Sequence, residues 1–185
     1  RSREYFDVAD GAILYSLAAV KGVGAQAVEH LVAVRGGRPF RDLADFAARI
    51  DPRQINRRTL ESLVAAGAFD EIEPDRARLT EGLDVIMAAA ARARDDADAG
   101  QGALFGGGPV AEPIRLASVT GWMPAERLQR EHAAIGFYLS AHPLDEYRTV
   151  LDKMRVQMWR EFEVAVKRGA SFGRLAGTVT SRQER

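Results

Sequence analysis

The sequence predicts a mainly α-helical fold, and three observations carry that prediction. Helix formers dominate its 185 residues: Ala is abundant, Leu, Arg and Glu are common, and 46% of the chain is hydrophobic, enough for a packed core. Apolar residues recur at helical rather than alternating spacing. Short polar residues stand just before several of these runs and glycines just after them, as helix caps do.

Residues 11–17 are short and apolar, and periodicity does not separate strand from helix entry there. Residues 17–32 read as a short helix ending at Lys21, a tight turn, and a second helix to about Arg35 with Val28, Leu31 and Val32 on one face, stopped by Gly36 and Gly37. Asp42 is placed to cap a helix through Arg49, with Leu43 and Phe46 inward. Asn56 caps another carrying Leu60, Leu63 and Val64, with Gly67 past its end. After Pro74, Asp75 caps one long Ala-rich helix through Leu79, Leu83, Ile86 and Met87, whose charged tail frays towards Asp98.

Composition changes at residues 99–121, where glycines and Pro109 preclude a helix and leave a flexible linker that carries Leu104 and Phe105. Pro124 then opens a helix through Leu128, Ile135 and Leu139, His142 and Pro143 make a turn, and a short helix runs over residues 144–154. Residues 175–181 alternate and read as a strand. Trp122, Phe137 and Tyr138 are expected in the core.

Charge confines the function classes. The chain holds 26 basic and 26 acidic residues, so a nucleic-acid contact must be local. Residues 35–58 hold seven Arg against three Asp, a basic bias just after the tight turn. Cysteine is absent, which excludes disulfides and thiolate metal sites and permits a reducing setting. No apolar run approaches the ~20 residues that span a bilayer. The first residues carry neither a signal-type stretch nor Met, so the chain is expected to begin within a longer one.

Two short motifs carry chemistry. Lys21-Gly22-Val23-Gly24 between two helical runs fits a helix-hairpin-helix. Glycines let successive amides point outward at the start of the second helix, where the helix dipole favours a phosphate oxygen, and Lys21 adds a formal charge. Such a grip would be blind to sequence and sensitive to salt. The same residues also describe a plain helix-to-helix corner. Gln101, Leu104 and Phe105 suit an extended peptide whose apolar pair enters a partner's pocket, or equally a lid folded onto the preceding helix. No catalytic constellation is found. His30 reads as a helix-surface residue, His142 as a turn or capping residue, and His132 lies near no suitable acids. Asp95, Asp96 and Asp98 read as solvated rather than metal-binding.

Taken together, Ala19 to Gly24, Arg38 to Phe46, Asn56 to Asp70, Gln101 to Gly106 and Ile135 to Tyr147 resemble the C-family bacterial replicative polymerases, specifically the alpha subunit of DNA polymerase III, in order and spacing. The resemblance covers essentially the whole chain. It implies a helix-hairpin-helix-containing helical domain at 1–98, a linker with a clamp-binding motif at 99–121, a further helical segment at 122–164 and the start of an oligonucleotide-binding (OB-fold) barrel at 165–185. It implies DNA-binding roles for Lys21, Gly22, Val23 and Gly24, supported by Arg35 and Arg38 from the basic bias, and a clamp-binding role for Gln101, Leu104 and Phe105. The implied partners are double-stranded DNA, the sliding clamp (beta subunit) and the rest of the polymerase holoenzyme, in the cytoplasm and without a membrane. No catalytic residue, metal or cofactor is expected in this stretch, because the family's catalytic aspartates lie in a preceding domain. A structural spacer, and the equivalent region of an error-prone C-family polymerase, remain the alternatives. Val28, where such hairpins often have Ala, and Gly102 in the tether depart from the usual pattern.

Overall fold

The computed structural model describes residues 2–99, 113–179 and 182–184. Gln101, Leu104 and Phe105, with most of the linker around them, lie outside the described residues. The chain divides into two compact units, one ending at Phe137 and one beginning at Tyr138.

The first unit opens with an antiparallel hairpin of β1 (Asp7–Ala9) and β2 (Ala12–Leu14), in which Val8 faces Ile13. That decides the open reading of residues 11–17. A single 3₁₀ turn, Leu17–Ala19, follows, with the Ser16 hydroxyl accepting from the Ala19 N–H at 3.2 Å. The expected first helix of the tight turn is therefore only one turn long, because Val20 already has an extended backbone.

Five helices build the body: α1 (Ala25–Arg35), α2 (Leu43–Arg49), α3 (Arg57–Ala65), α4 (Arg76–Glu81) and α5 (Leu83–Asp98). Asp42, Asn56 and Asp75 cap α2, α3 and α4 as the sequence predicts, each accepting the N–H three residues on at 2.7–3.0 Å. The long helix expected after Asp75 is instead two. Gly82 breaks it, and a Cβ at that position would collide with Leu116, which reaches into the core there.

A sixth helix, α6 (Pro124–Ile135), starts on its proline and ends at Gly136, short of Leu139. It packs on α3 within the first unit, so the segment expected as one piece over 122–164 divides at Phe137. Val28, Phe46, Ile55, Leu60, Leu63, Val64, Leu79, Leu83 and Ile86 fill the core, with Phe46 edge-on to both Phe40 and Phe69. Leu116 joins them although it lies in the segment expected to be loose. Trp122 is only half-buried and Phe137 is exposed, edge-on to Tyr15 at 5.7 Å, so neither is the core residue expected. Large aromatic faces satisfied by a neighbouring ring or guanidinium do not need full burial.

The second unit has a 3₁₀ turn (Asp145–Tyr147), α7 (Arg148–Lys153) and α8 (Trp159–Lys167). Helix α8 was not among the elements expected, and it runs across the expected start of the barrel. Tyr138, expected in the core, is half-buried. The strand expected from residue 175 does not form among the described residues. The Arg174 carbonyl accepts the Gln157 N–H at 2.9 Å, but residues 172–179 form no ladder, and extended backbone without one is not a strand. Among the described residues no helix is long and apolar enough to cross a membrane.

Candidate nucleic-acid interface

The hairpin is built from a turn with few alternatives. Val23 N–H donates to the Val20 carbonyl at 3.2 Å, and Gly22 sits at φ +82°, a conformation that side chains strain to adopt. Val23 is buried and anchors the turn. Gly24 is the N-cap of α1 and has no side chain to satisfy the first-turn amides. A helix start capped by glycine leaves its outward N–H groups, and the positive end of its dipole, to an external acceptor. The Lys21 ammonium makes no ion pair with any described residue, whereas its backbone N–H donates to the Ala134 carbonyl of α6 at 2.8 Å.

Arg35 and Arg38 stand elsewhere. They lie at and beyond the C-terminal end of α1, about 16 Å along the axis from Gly24 at 1.5 Å per residue. Burial, and Arg3 beside it, lower the Arg35 pKa, and Arg38 is exposed but paired with Asp45 at 3.4 Å. The structure thus brings Lys21, Gly22, Val23 and Gly24 together and leaves the two arginines at the opposite end of the helix.

The basic bias over residues 35–58 has a structural side that sequence reasoning missed. Arg49 turns inward and donates to the carbonyls of Val34, Arg35 (2.8 Å) and Arg38 (3.1 Å), capping the C-terminus of α1 while its guanidinium lies over Phe40. Buried Asp45 gathers Arg38, Arg41 and Arg49, accepting from the Arg41 N–H and the Arg49 Nη1, both at 3.1 Å. Burial alone would raise its pKa, but these hydrogen bonds and the cations Arg49 and Arg38 outweigh it and hold the carboxyl below its usual range.

A second charged cluster was equally unforeseen. Arg76 is buried and donates to both oxygens of Asp70 at 2.7–2.8 Å, to the Ala65 carbonyl at 2.9 Å and to Glu131 at 3.2 Å. Glu131 is fully buried. Desolvation works against the Arg76 charge, yet Asp70 and then Glu131 reverse it and raise its pKa. Gly67 makes room for this guanidinium, since a Cβ there would collide with it and φ is +81°. The one available sequence signal was Glu131 itself, an acid three residues after Leu128 and four before Ile135 on the apolar stripe of α6.

Two of the three histidines make local structural contacts. His30 Nε2 accepts the Asp51 N–H at 2.8 Å, and His142 Nδ1 accepts the Leu144 N–H at 3.1 Å, a turn contact of the kind the sequence suggested. No cluster of three or more metal-ligating side chains exists among the described residues.

A glycine-capped second helix behind a Lys-Gly-Val-Gly turn defines a helix-hairpin-helix protein, and residues 1–79 match the family described as a helix-hairpin-helix motif. The whole chain is also 44% identical to the DNA polymerase III subunit alpha of Caulobacter vibrioides, covering all of this chain and 16% of that protein. The same-named proteins of Neisseria meningitidis serogroup B (42% identity, 80% of this chain, 14% of that one) and Escherichia coli K12 (37%, 78% and 13%) are similar to it as well. The chain belongs to the DNA polymerase III alpha subunit family, and it spans about one sixth of the length of the relatives it matches.

Proposed function

We propose that this chain is a non-catalytic region of a cytoplasmic replicative DNA polymerase, one that holds duplex DNA by its backbone and tethers the polymerase to the sliding clamp during processive synthesis. The observation that carries the DNA half is the open start of α1. Gly24 leaves the first-turn amides uncapped beside a lysine that makes no ion pair with any described residue. The amides and Lys21 would grip a phosphate oxygen without reading a base. Arg35 and Arg38, at the far end of α1, would add at most a separate contact.

The clamp half rests on the pattern of Gln101, Leu104 and Phe105 and on the family. Two weak contacts in one chain raise each other's effective concentration, which is what processivity requires. The end of the chain, residues 165–185, we assign to the opening of an OB-fold barrel, again on the family. Nucleotide transfer, on this reading, belongs to other parts of the polymerase, and this region contributes no catalytic side chain, metal ligand or cofactor contact.

Lys21→Glu should weaken duplex binding by about tenfold at low salt and lower the slope of log affinity against log salt by about one. Fluorescence anisotropy of a labelled duplex across a salt series measures both. An unchanged affinity and slope would sink the grip and leave a structural spacer, a reading favoured by the bond that fastens the Lys21 N–H to α6. Independently, Leu104→Ala with Phe105→Ala should cost at least about tenfold in affinity for the clamp, since buried aromatic anchors dominate such contacts. Undiminished binding in a titration with purified clamp would refute the tether and leave the DNA half intact.

A further inference from the structure

The hairpin does not stand on α1 alone. Ser62 of α3 lies under Gly22, close enough that a Cβ there would come within 3.1 Å of its hydroxyl. On the other side, α6 accepts the Lys21 N–H through Ala134, and the Lys21 ammonium lies against Gly136, which caps the C-terminus of α6, with Nζ 3.7 Å from where a Gly136 Cβ would be. The turn is therefore seated between two helices, and its geometry depends on their spacing. One side chain spans that gap from within. The Arg76 guanidinium binds the Ala65 carbonyl at the end of α3 and the Glu131 carboxylate of α6 through the same nitrogen, Nη1, while Asp70 fixes the rest of the fork. Glu131 lies three residues before Ala134, and positions three apart lie on the same helix face.

Stability is a poor reason for that arrangement. A buried ion pair loses about as much in desolvation as it gains in attraction, and apolar side chains of equal volume often replace one without loss. What an apolar pair cannot supply is direction: a planar fork with fixed hydrogen bonds admits one spacing and one rotation of α6 on α3. We propose that Arg76 and Glu131 are positioning residues for the hairpin, holding α3 and α6 at the separation that seats Lys21 to Gly24 in its phosphate-ready form. This rests on the reading of the hairpin as a phosphate grip. Neither residue touches DNA.

The test is Arg76→Met with Glu131→Leu in the same chain, which removes both charges and keeps the volume. Glu131→Gln serves as the second variant, keeping shape and an acceptor oxygen if the double change does not fold. Amide hydrogen exchange should show the Lys21 N–H exchanging about tenfold faster or more, while Val28 and Leu31 within α1 keep their protection. The thermal midpoint of the double variant should stay level or rise, a result that a merely stabilising ion pair would not give. Duplex affinity should fall about fivefold, with Glu131→Gln between it and the parent. Unchanged exchange at Lys21 overturns the proposal whatever happens to DNA binding. So does faster exchange with undiminished duplex affinity in a background where Lys21→Glu weakens it. If Lys21→Glu is itself silent, the grip reading has failed, and the positioning role falls with it by that separate route.

Discussion

The two units of this chain are made from similar helices and are stabilised in opposite ways. Every described residue that is fully buried lies in the first unit, where α2 packs on α5 and α3 on α4, α5 and α6 around Phe46, Leu60 and Leu63. Among the described residues of the second unit none is buried, and its largest apolar side chains face outward: Trp159 is 68% exposed and Phe172 86%. Helix α8 still has good local credentials, with the Glu161 carboxylate accepting the Met158 N–H at 3.1 Å at its start. Local rules make a helix, and only burial makes a core. The difference separates a unit whose geometry can preorganise a binding turn from one whose apolar faces have nothing of their own to bury against.

The sharpest way to break that comparison is a matched pair of truncations. Phe46→Ala removes a ring that is 2% exposed and packed edge-on between two others, and it should cost about 3–5 kcal/mol. Phe172→Ala removes an equal ring from the surface and should stay within about 0.5 kcal/mol. Urea unfolding followed by far-ultraviolet circular dichroism measures both. Equal costs would mean that Phe172 is buried in solution and that the second unit has a core of its own.

How much of this was legible in the sequence follows the same division between local and distant interactions. Asp42, Asn56 and Asp75 announced their helices because a cap acts on an amide three residues away, a distance any sequence displays. The Lys21-Gly22-Val23-Gly24 turn was legible for the same reason. Gly82 was passed over because a single glycine is tolerated within a helix. What requires a glycine there is Leu116, 34 residues on, whose side chain occupies the space a Cβ would need. The buried roles of Arg49 and Arg76 are not legible in the sequence, because their partners, the Val34, Arg35 and Arg38 carbonyls for one and Asp70 and Glu131 for the other, meet them only once the helices have packed. The candidate site was thus half visible: the turn that would touch a phosphate, without the buried fork that spaces its two supporting helices.

The smallest expected effect sharpens the comparison through pH. His30, on α1, accepts the Asp51 N–H through Nε2, and a protonated imidazole has no lone pair for that bond. Desolvation lowers its pKa, and nearby Arg94 lowers it further against the opposing pull of Asp51. With the folded pKa below the unfolded value, the unfolded chain binds more protons between the two, so stability rises with pH across that interval. The contribution is fully present above about pH 6.5, the ordinary histidine value, and is lost as pH falls through the folded pKa. Asp45 and Asp51, whose carboxyls are also held low, lose their contributions only in the more acidic carboxylate range, which keeps the two effects apart. His30→Gln retains a side-chain acceptor that does not titrate and should flatten this part of the profile. Unfolding midpoints of the two proteins between pH 5 and 7.5 provide the measurement. Parallel profiles would show that some other group governs the first unit in that range, whereas a slope that disappears with His30 assigns it to the contact between α1 and the turn before α3.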